Sequence, residues 1–274
     1  MAIVVNGKES LTDVQNTPDT RDIPLTKVGV KGLQYPIRVL DKVHKAQHTT
    51  GTADLYADLP RHFKGSHMSR FVEIFHRYWE DLSMPRFLEM LEEIVNGLEA
   101  ESAWGTVEFP YFLEKNAPVS HIPGMMSYSC RYQGKVIKKG AALERHFVVA
   151  ISVPVTTVCP CSRAISERGA HNQRGVVTVE LWLGPFFWIE DIISLVEKAA
   201  SSPVYSILKR EDEKHVTETS YDNPKFVEDL VRDVYSELKA LGLFPRFTVE
   251  AENFESIHNH SAYARAEFGG ILYE

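Results

Sequence analysis

Cys159 and Cys161 flank Pro160 in this chain, and His171 follows them on the same polar stretch, residues 151–175. These types suit metal or thiolate chemistry. Thiolate sulfur and imidazole nitrogen are ligands that zinc-like cations favour. The stretch lies between two strand-like runs and reads as a long loop. Loops longer than about a dozen residues in a compact domain are usually functional or disordered. Free cysteines are often small buried hydrophobes. Here the polar setting, with Arg163, Arg168 and His171 nearby, argues for a role for at least one of the pair. Cys130 lies on an alternating run and reads as core. A catalytic metal site needs about three protein ligands plus an open position, so further ligands must come from elsewhere. Glu211, Glu213 and His215 form one candidate group, and Glu252, Glu255, His258 and His260 another.

Residues 250–260 concentrate carboxylates and imidazoles between two strand-like runs. Glu255 and His258 are three apart, so a local turn can aim both at one pocket. Imidazole suits proton transfer near neutrality. A carboxylate can hold a guanine edge by accepting from the ring N–H and the exocyclic amine together. The bland alternative for these groups, and for the charged run 209–215, is a solvated polar loop. Lys64, His67 and Arg70 form a basic group at a helix start, a setting that suits a phosphate, although it is not a recognised phosphate loop.

The elements that must position these groups follow from periodicity. Residues 1–30 are mostly polar and read as an extended arm. Strand-like runs at 35–40 and 53–58 precede a helix over 68–79 and a second over 83–98, which Ser83 caps with Pro85 in its first turn. Alternating runs at 103–109 and 126–132 follow, the latter closed by a turn at Gln133-Gly134-Lys135. The order then recurs. Strands at 147–153 and 177–183 lead to a helix over 188–200, a charged loop at 209–215 and a helix that starts at Pro224 and stops before Gly242. Strands at 247–251 and 262–268 end the chain. The pattern predicts an α+β protein with two tandem ββααββ modules, 31–138 and 139–274. Strands joined as hairpins imply antiparallel sheets, each covered on one face by two helices. The uncovered faces suggest closure by oligomerisation.

At 274 residues the chain can hold one large or two small domains. Three cysteines without framework spacing fit a reducing cytoplasm. The N-terminus does not read as a signal peptide, and no apolar run approaches a membrane span. A net charge of −7 argues against a broad nucleic-acid face but leaves room for a local basic cluster holding a small anion.

The run Val155-Thr156-Thr157-Val158-Cys159-Pro160-Cys161-Ser162-Arg163-Ala164-Ile165-Ser166-Glu167-Arg168-Gly169-Ala170-His171-Asn172-Gln173-Arg174-Gly175 resembles the type IB GTP cyclohydrolases of bacterial folate biosynthesis. So do Lys64-Gly65-Ser66-His67-Met68-Ser69-Arg70-Phe71, Lys209-Arg210-Glu211-Asp212-Glu213-Lys214 and Glu255-Ser256-Ile257-His258-Asn259-His260. The resemblance spans the chain from about Asp13. It implies a tunnelling fold whose two modules close into barrels in a homotetramer, with sites at subunit interfaces. It implies one divalent metal per site, zinc or manganese, held by Cys159 and His171, with Glu213 and His258 as nearby or alternative ligands. Cys159 and His258 would act in catalysis, Glu255 would anchor guanine, and Lys64, His67 and Arg70 would lie near the triphosphate. The implied reaction converts GTP and water to 7,8-dihydroneopterin 3′-triphosphate and formate through attack of metal-activated water at purine C8. A non-catalytic purine- or pterin-binding oligomer of the same fold is the competing reading, and a structural zinc protein a third.

Overall fold

The computed structural model describes residues 15, 17–61, 63–182 and 184–270, with the backbone of 4–5 and 8–9. Much of the stretch that reads as an arm lies outside the described residues. A short antiparallel pair, β1 (Val4–Val5) with β2 (Lys8–Glu9), opens the chain. The first long strand, β3 (Leu25–Asp41), starts inside that stretch. The elements that follow are β4 (Lys45–Leu59), α1 (Met68–His76), α2 (Met84–Gly97), β5 (Ser102–Asn116), β6 (Pro123–Lys139) and β7 (Ala142–Val158). Then come α3 (Pro160–Ile165), β8 (Asn172–Trp182), α4 (Ile189–Ala199), β9 (Ser202–Pro203), α5 (Arg210–Asp222), α6 (Val227–Leu241), β10 (Phe247–Asn253) and β11 (Ala262–Phe268).

The described chain groups into two compact units. One holds Gly51–Val107, Gln133–His146 and the chain up to Val39; the other holds Leu40–Thr50, Glu108–Tyr132 and the chain from Phe147 on. These units interleave in sequence, because each long hairpin strand gives one end to each. In that respect they differ from a division of the sequence at 138.

In the first unit α1 and α2 pack together, with Phe71, Ile74, Phe75, Phe87, Leu91 and Ile94 buried. Ser83 takes the N-cap position of α2 with Pro85 in the first turn, but its side chain makes no capping hydrogen bond. The turn expected at Gln133-Gly134-Lys135 is absent; β6 runs through it to Lys139. Gly134 serves close packing rather than a turn. A Cβ built on it would meet Phe87 Cε1 at 2.8 Å and Leu91 Cδ1 at 2.9 Å. Gly105, on β5, meets the same two side chains at 3.1 and 2.9 Å. Two glycines thus let α2 lie close against the strands. A strand glycine signals either a bulge or such a close approach, and the sequence does not distinguish them.

In the second unit β7, β8, β10 and β11 are antiparallel neighbours in that order. The register sets Val153 opposite Val177 and Val177 opposite Ala251. Alternation buries one face: Ile151, Val153, Val177, Val179, Val249 and Ala251. Helix α6 packs on β10 and β11, and α4 packs on α6, with Ile192, Val196, Leu230, Val231 and Val234 buried. Gly242 closes α6 in the left-handed conformation, φ 64°, as the sequence leads one to expect. The helix begins at Val227, three residues after the Pro224 start read from sequence.

Gly134→Ala forces a methyl group into fully buried contact with Phe87 and Leu91. Overpacking of this kind costs about 1–3 kcal/mol. Urea denaturation is expected to show that loss, and wild-type stability would contradict the close-packing role.

Candidate active site

The stretch that reads as a loop is mostly ordered structure. Residues 151–158 continue β7, 160–165 form α3, and β8 begins at Asn172. The alternation through Ile151 and Val153 is legible in the sequence. Its continuation past Pro154 is not, because Pro154, Thr156 and Thr157 break an apolar reading. Cys159 is the N-cap of α3, and Pro160 opens the helix, where its missing N–H costs nothing. The Cys159 thiol accepts from Ser162 N–H at 3.4 Å. Two further bonds close the excursion: Cys159 N–H donates to the His171 carbonyl at 3.1 Å, and His171 N–H donates to Ser162 Oγ at 3.2 Å. The thiol of Cys159 and the imidazole of His171 are thereby fixed to one β7–β8 edge. Cys161 is exposed. Cys130 is buried, as expected of core, and burial pushes its thiol well above the ordinary range.

Glu255 reaches the same edge. Phe254 N–H donates to the Arg174 carbonyl at 2.8 Å, which ties the 254–261 turn to β8. Glu255 Oε2 then lies 3.9 Å from His171 Nδ1. Both side chains are largely shielded, at 13% and 16% exposed. The nearer partner of Nδ1 is Gln173 Oε1 at 3.1 Å. On the turn itself His258 and His260 are exposed and stack, with ring centroids 5.1 Å apart. Arg163 is engaged elsewhere: its guanidinium covers the Tyr221 ring at 4.7 Å and pairs with Asp222.

The charged run 209–215 is not a loop but the first part of α5, which spans Arg210–Asp222. It lacks an apolar stripe, so periodicity does not reveal it. Its start is fixed by charge and capping instead. Glu211, Asp212 and Glu213 fill the first turn, where negative charge is favoured. Glu211 and Glu213 are exposed, whereas Asp212 is fully buried. Its carboxylate accepts from the N–H groups of Val119, Ser120 and Lys209 at 2.8, 2.9 and 2.8 Å, and from the Ser120 hydroxyl at 2.6 Å. Burial pushes its pKa up, but the bonds from the Ser120 hydroxyl and the three backbone N–H groups outweigh this and hold it well below the usual carboxylate range. Asp212 is therefore an anchor that seats α5, overlooked between two glutamates of the same charge.

Among the described residues no three His, Cys, Asp or Glu side chains converge as a metal-holding group. The structure brings Cys159, His171 and Glu255 to one edge, but does not add Glu213 or His258 to Cys159 and His171 in such a group. The donor types of Cys159 and His171 fit a divalent transition metal. Lys64, His67 and Arg70 belong to the other unit. His67 is the N-cap of α1, Lys64 is exposed, and Arg70 Nη1 donates to the Gly97 carbonyl at 3.1 Å. Sequence reasoning missed Thr157, Gln173 and Asp212, whose roles arise only from pairing.

An antiparallel sheet with covering helices defines an α+β protein, and its fold is uricase-like. Uricase from Arthrobacter globiformis superposes with a TM-score of 0.50 over 91% of this chain and 96% of its own, at 6% identity, a likeness of fold alone. The chain belongs to the family described as type I GTP cyclohydrolase folE2, whose model matches residues 11–264. It is 53% identical to GTP cyclohydrolase FolE2 of Syntrophotalea carbinolica over 258 residues, 94% of this chain and 95% of that one. It is 51% identical to GTP cyclohydrolase FolE2 of Geotalea uraniireducens over 257 residues, 94% and 93% of the two chains.

A carboxyl held below its ordinary range stabilises the fold above its unfolded pKa, about 4, and loses that contribution as the pH falls toward the folded value. Asp212→Asn is expected to be less stable than wild type at pH 7, with the difference shrinking below about pH 4. Urea denaturation at pH 7, 5 and 3 checks this; a difference independent of pH would refute the anchoring charge.

Proposed function

We propose that this chain is a GTP cyclohydrolase of type IB, converting GTP and water to 7,8-dihydroneopterin 3′-triphosphate and formate at the first step of folate biosynthesis. The observation that carries the reading is the shared edge of Cys159, His171 and Glu255 in a chain of this family. Hydrolytic opening of a purine needs a nucleophile at C8, a proton donor for the ring nitrogen and a group that fixes the base. This edge offers residue types for each.

Cys159 and His171 would hold one divalent metal, zinc or manganese, with Glu213 or, as the alternative, His258 as a third donor, which leaves a position open for water. When bound, such a metal lowers the pKa of water to about 7 and so makes hydroxide available at neutral pH. Glu255 accepts from the guanine N1–H and exocyclic amine and so fixes the base, with C8 on the far side of the purine from this carboxylate. His171 Nδ1 is already engaged by Gln173, so the Glu255 carboxylate stays available for guanine. His258, exposed on a turn, delivers a proton to the ring nitrogen as the C8–N bond breaks. A second water then breaks the remaining C8–N bond and releases formate, and the rearranged ribose carbons close the second ring with loss of one water.

The same reading places Lys64, His67 and Arg70 at the triphosphate in an assembled homotetramer. There the two modules close into barrels and the sites form at subunit interfaces. The working compartment is the cytoplasm. Among the described residues no helix is long and apolar enough to cross a membrane.

Cys159→Ala is expected to lower formate release at least ~100-fold, since even residues supporting a metal ligand typically cost 10–100-fold, while the fold persists by circular dichroism. Near-wild-type release would remove Cys159 from the site. Glu255→Ala loses charge-assisted hydrogen bonds of about 1.5–3 kcal/mol, or roughly 10- to 150-fold in GTP affinity. Equilibrium binding of GTP measures it, and unchanged affinity would sink the anchor role. Fluorescence of neopterin after oxidation and dephosphorylation separates enzyme from binder.

A further inference from the structure

On the buried face of β8 the residues from 173 to 181 run Gln173, Gly175, Val177, Val179 and Leu181. On β7 the facing row runs Val153, Val155 and Thr157. Both rows are apolar until their last member, where Gln173 and Thr157 stand opposite each other in register. Gln173 is 6% exposed and Thr157 is fully buried. The backbone groups of both strands already pair in the ladder, and a valine at either position would serve the packing. Burying an amide and a hydroxyl costs free energy unless they are hydrogen-bonded. Here they bond each other, Gln173 Nε2 to Thr157 Oγ1 at 2.8 Å, and the remaining amide oxygen points to His171 Nδ1 at 3.1 Å.

We infer that Gln173, held by Thr157, is a positioning residue that fixes the His171 tautomer and ring orientation, so that Nε2 presents its lone pair as a metal ligand. The inference rests on the proposed metal role of His171. An amide oxygen can only accept, so Nδ1 must carry the proton and donate. Glu255 cannot compete for that proton: its oxygen, 3.9 Å from Nδ1, lies beyond hydrogen-bond reach. The arrangement fills the place that a carboxylate or backbone carbonyl usually takes behind a metal-bound histidine. A neutral amide here leaves the local charge unchanged.

The test has one arm that needs no metal and no variant. Long-range ¹H–¹⁵N spectra of the metal-free full chain at pH 8 are expected to show His171 as the Nδ1–H tautomer. An Nε2–H tautomer, which a reversed Gln173 amide would impose, overturns the inference. The second arm measures Zn²⁺ affinity by competition with a chromogenic chelator. Gln173→Leu is expected to bind zinc about 10- to 100-fold more weakly, whereas Gln173→Glu, which keeps an acceptor for Nδ1, binds within a few-fold of wild type. Equal affinity in Gln173→Leu, or equal loss in both variants, contradicts the positioning role. Unchanged zinc affinity in His171→Ala would instead overturn the metal reading, a result separate from the tautomer.

Discussion

The register that sets Thr157 opposite Gln173 fixes the geometry on which the site depends. An antiparallel pair admits no half-steps; a slip by one residue would turn every side chain to the other face. With Ile151, Val153, Val177 and Val179 committed to the core, the last ladder pair is Val158 with Asn172. Just beyond it Cys159 and His171 remain joined by one backbone hydrogen bond. The segment between them leaves and returns at neighbouring points, so Cys159 and His171 are backbone neighbours although they are twelve positions apart in sequence. The turn bearing Glu255 is tied to the next residues of the same strand by the Phe254–Arg174 bond. Burial of apolar side chains away from the site therefore sets where its polar groups stand.

A similar division of labour recurs in α5. Asp212 is buried among backbone N–H groups and seats the helix, while its neighbours Glu211 and Glu213 face outward. A net of hydrogen bonds to one carboxylate takes the place of an apolar stripe. In the first unit, glycines rather than side chains set the spacing: Gly105 and Gly134 let the Phe87 and Leu91 side chains approach the strand backbone. In each case one residue carries a constraint that its chemical type alone does not announce.

These constraints decide which parts are legible in the sequence. Alternation in β7, β8 and β10, and the stripes of α4 and α6, follow from a buried face and are visible as period. So is the glycine that ends α6. Gly134 reads as a turn because close packing and turning use the same residue. Helix α5 reads as a loop because its stability lies in capping and one buried carboxylate, neither of which has a period. Cys159, His171 and Glu255 stand out because their types suggest chemistry, and the structure brings them to one edge. Gln173 and Thr157 escape notice because a single buried amide or hydroxyl gains meaning only from the residue across the ladder.

Opening of the purine at C8 is the act that this edge is proposed to perform. The most direct measurement supplies the purified protein with GTP labelled with ¹³C at C8 and follows the label by NMR. With zinc or manganese present, the label is expected in formate, in step with dihydroneopterin triphosphate, and to stay in the purine when a chelator removes the metal. A GTP pool that keeps its C8 label at saturating metal, with the protein folded, would contradict that role.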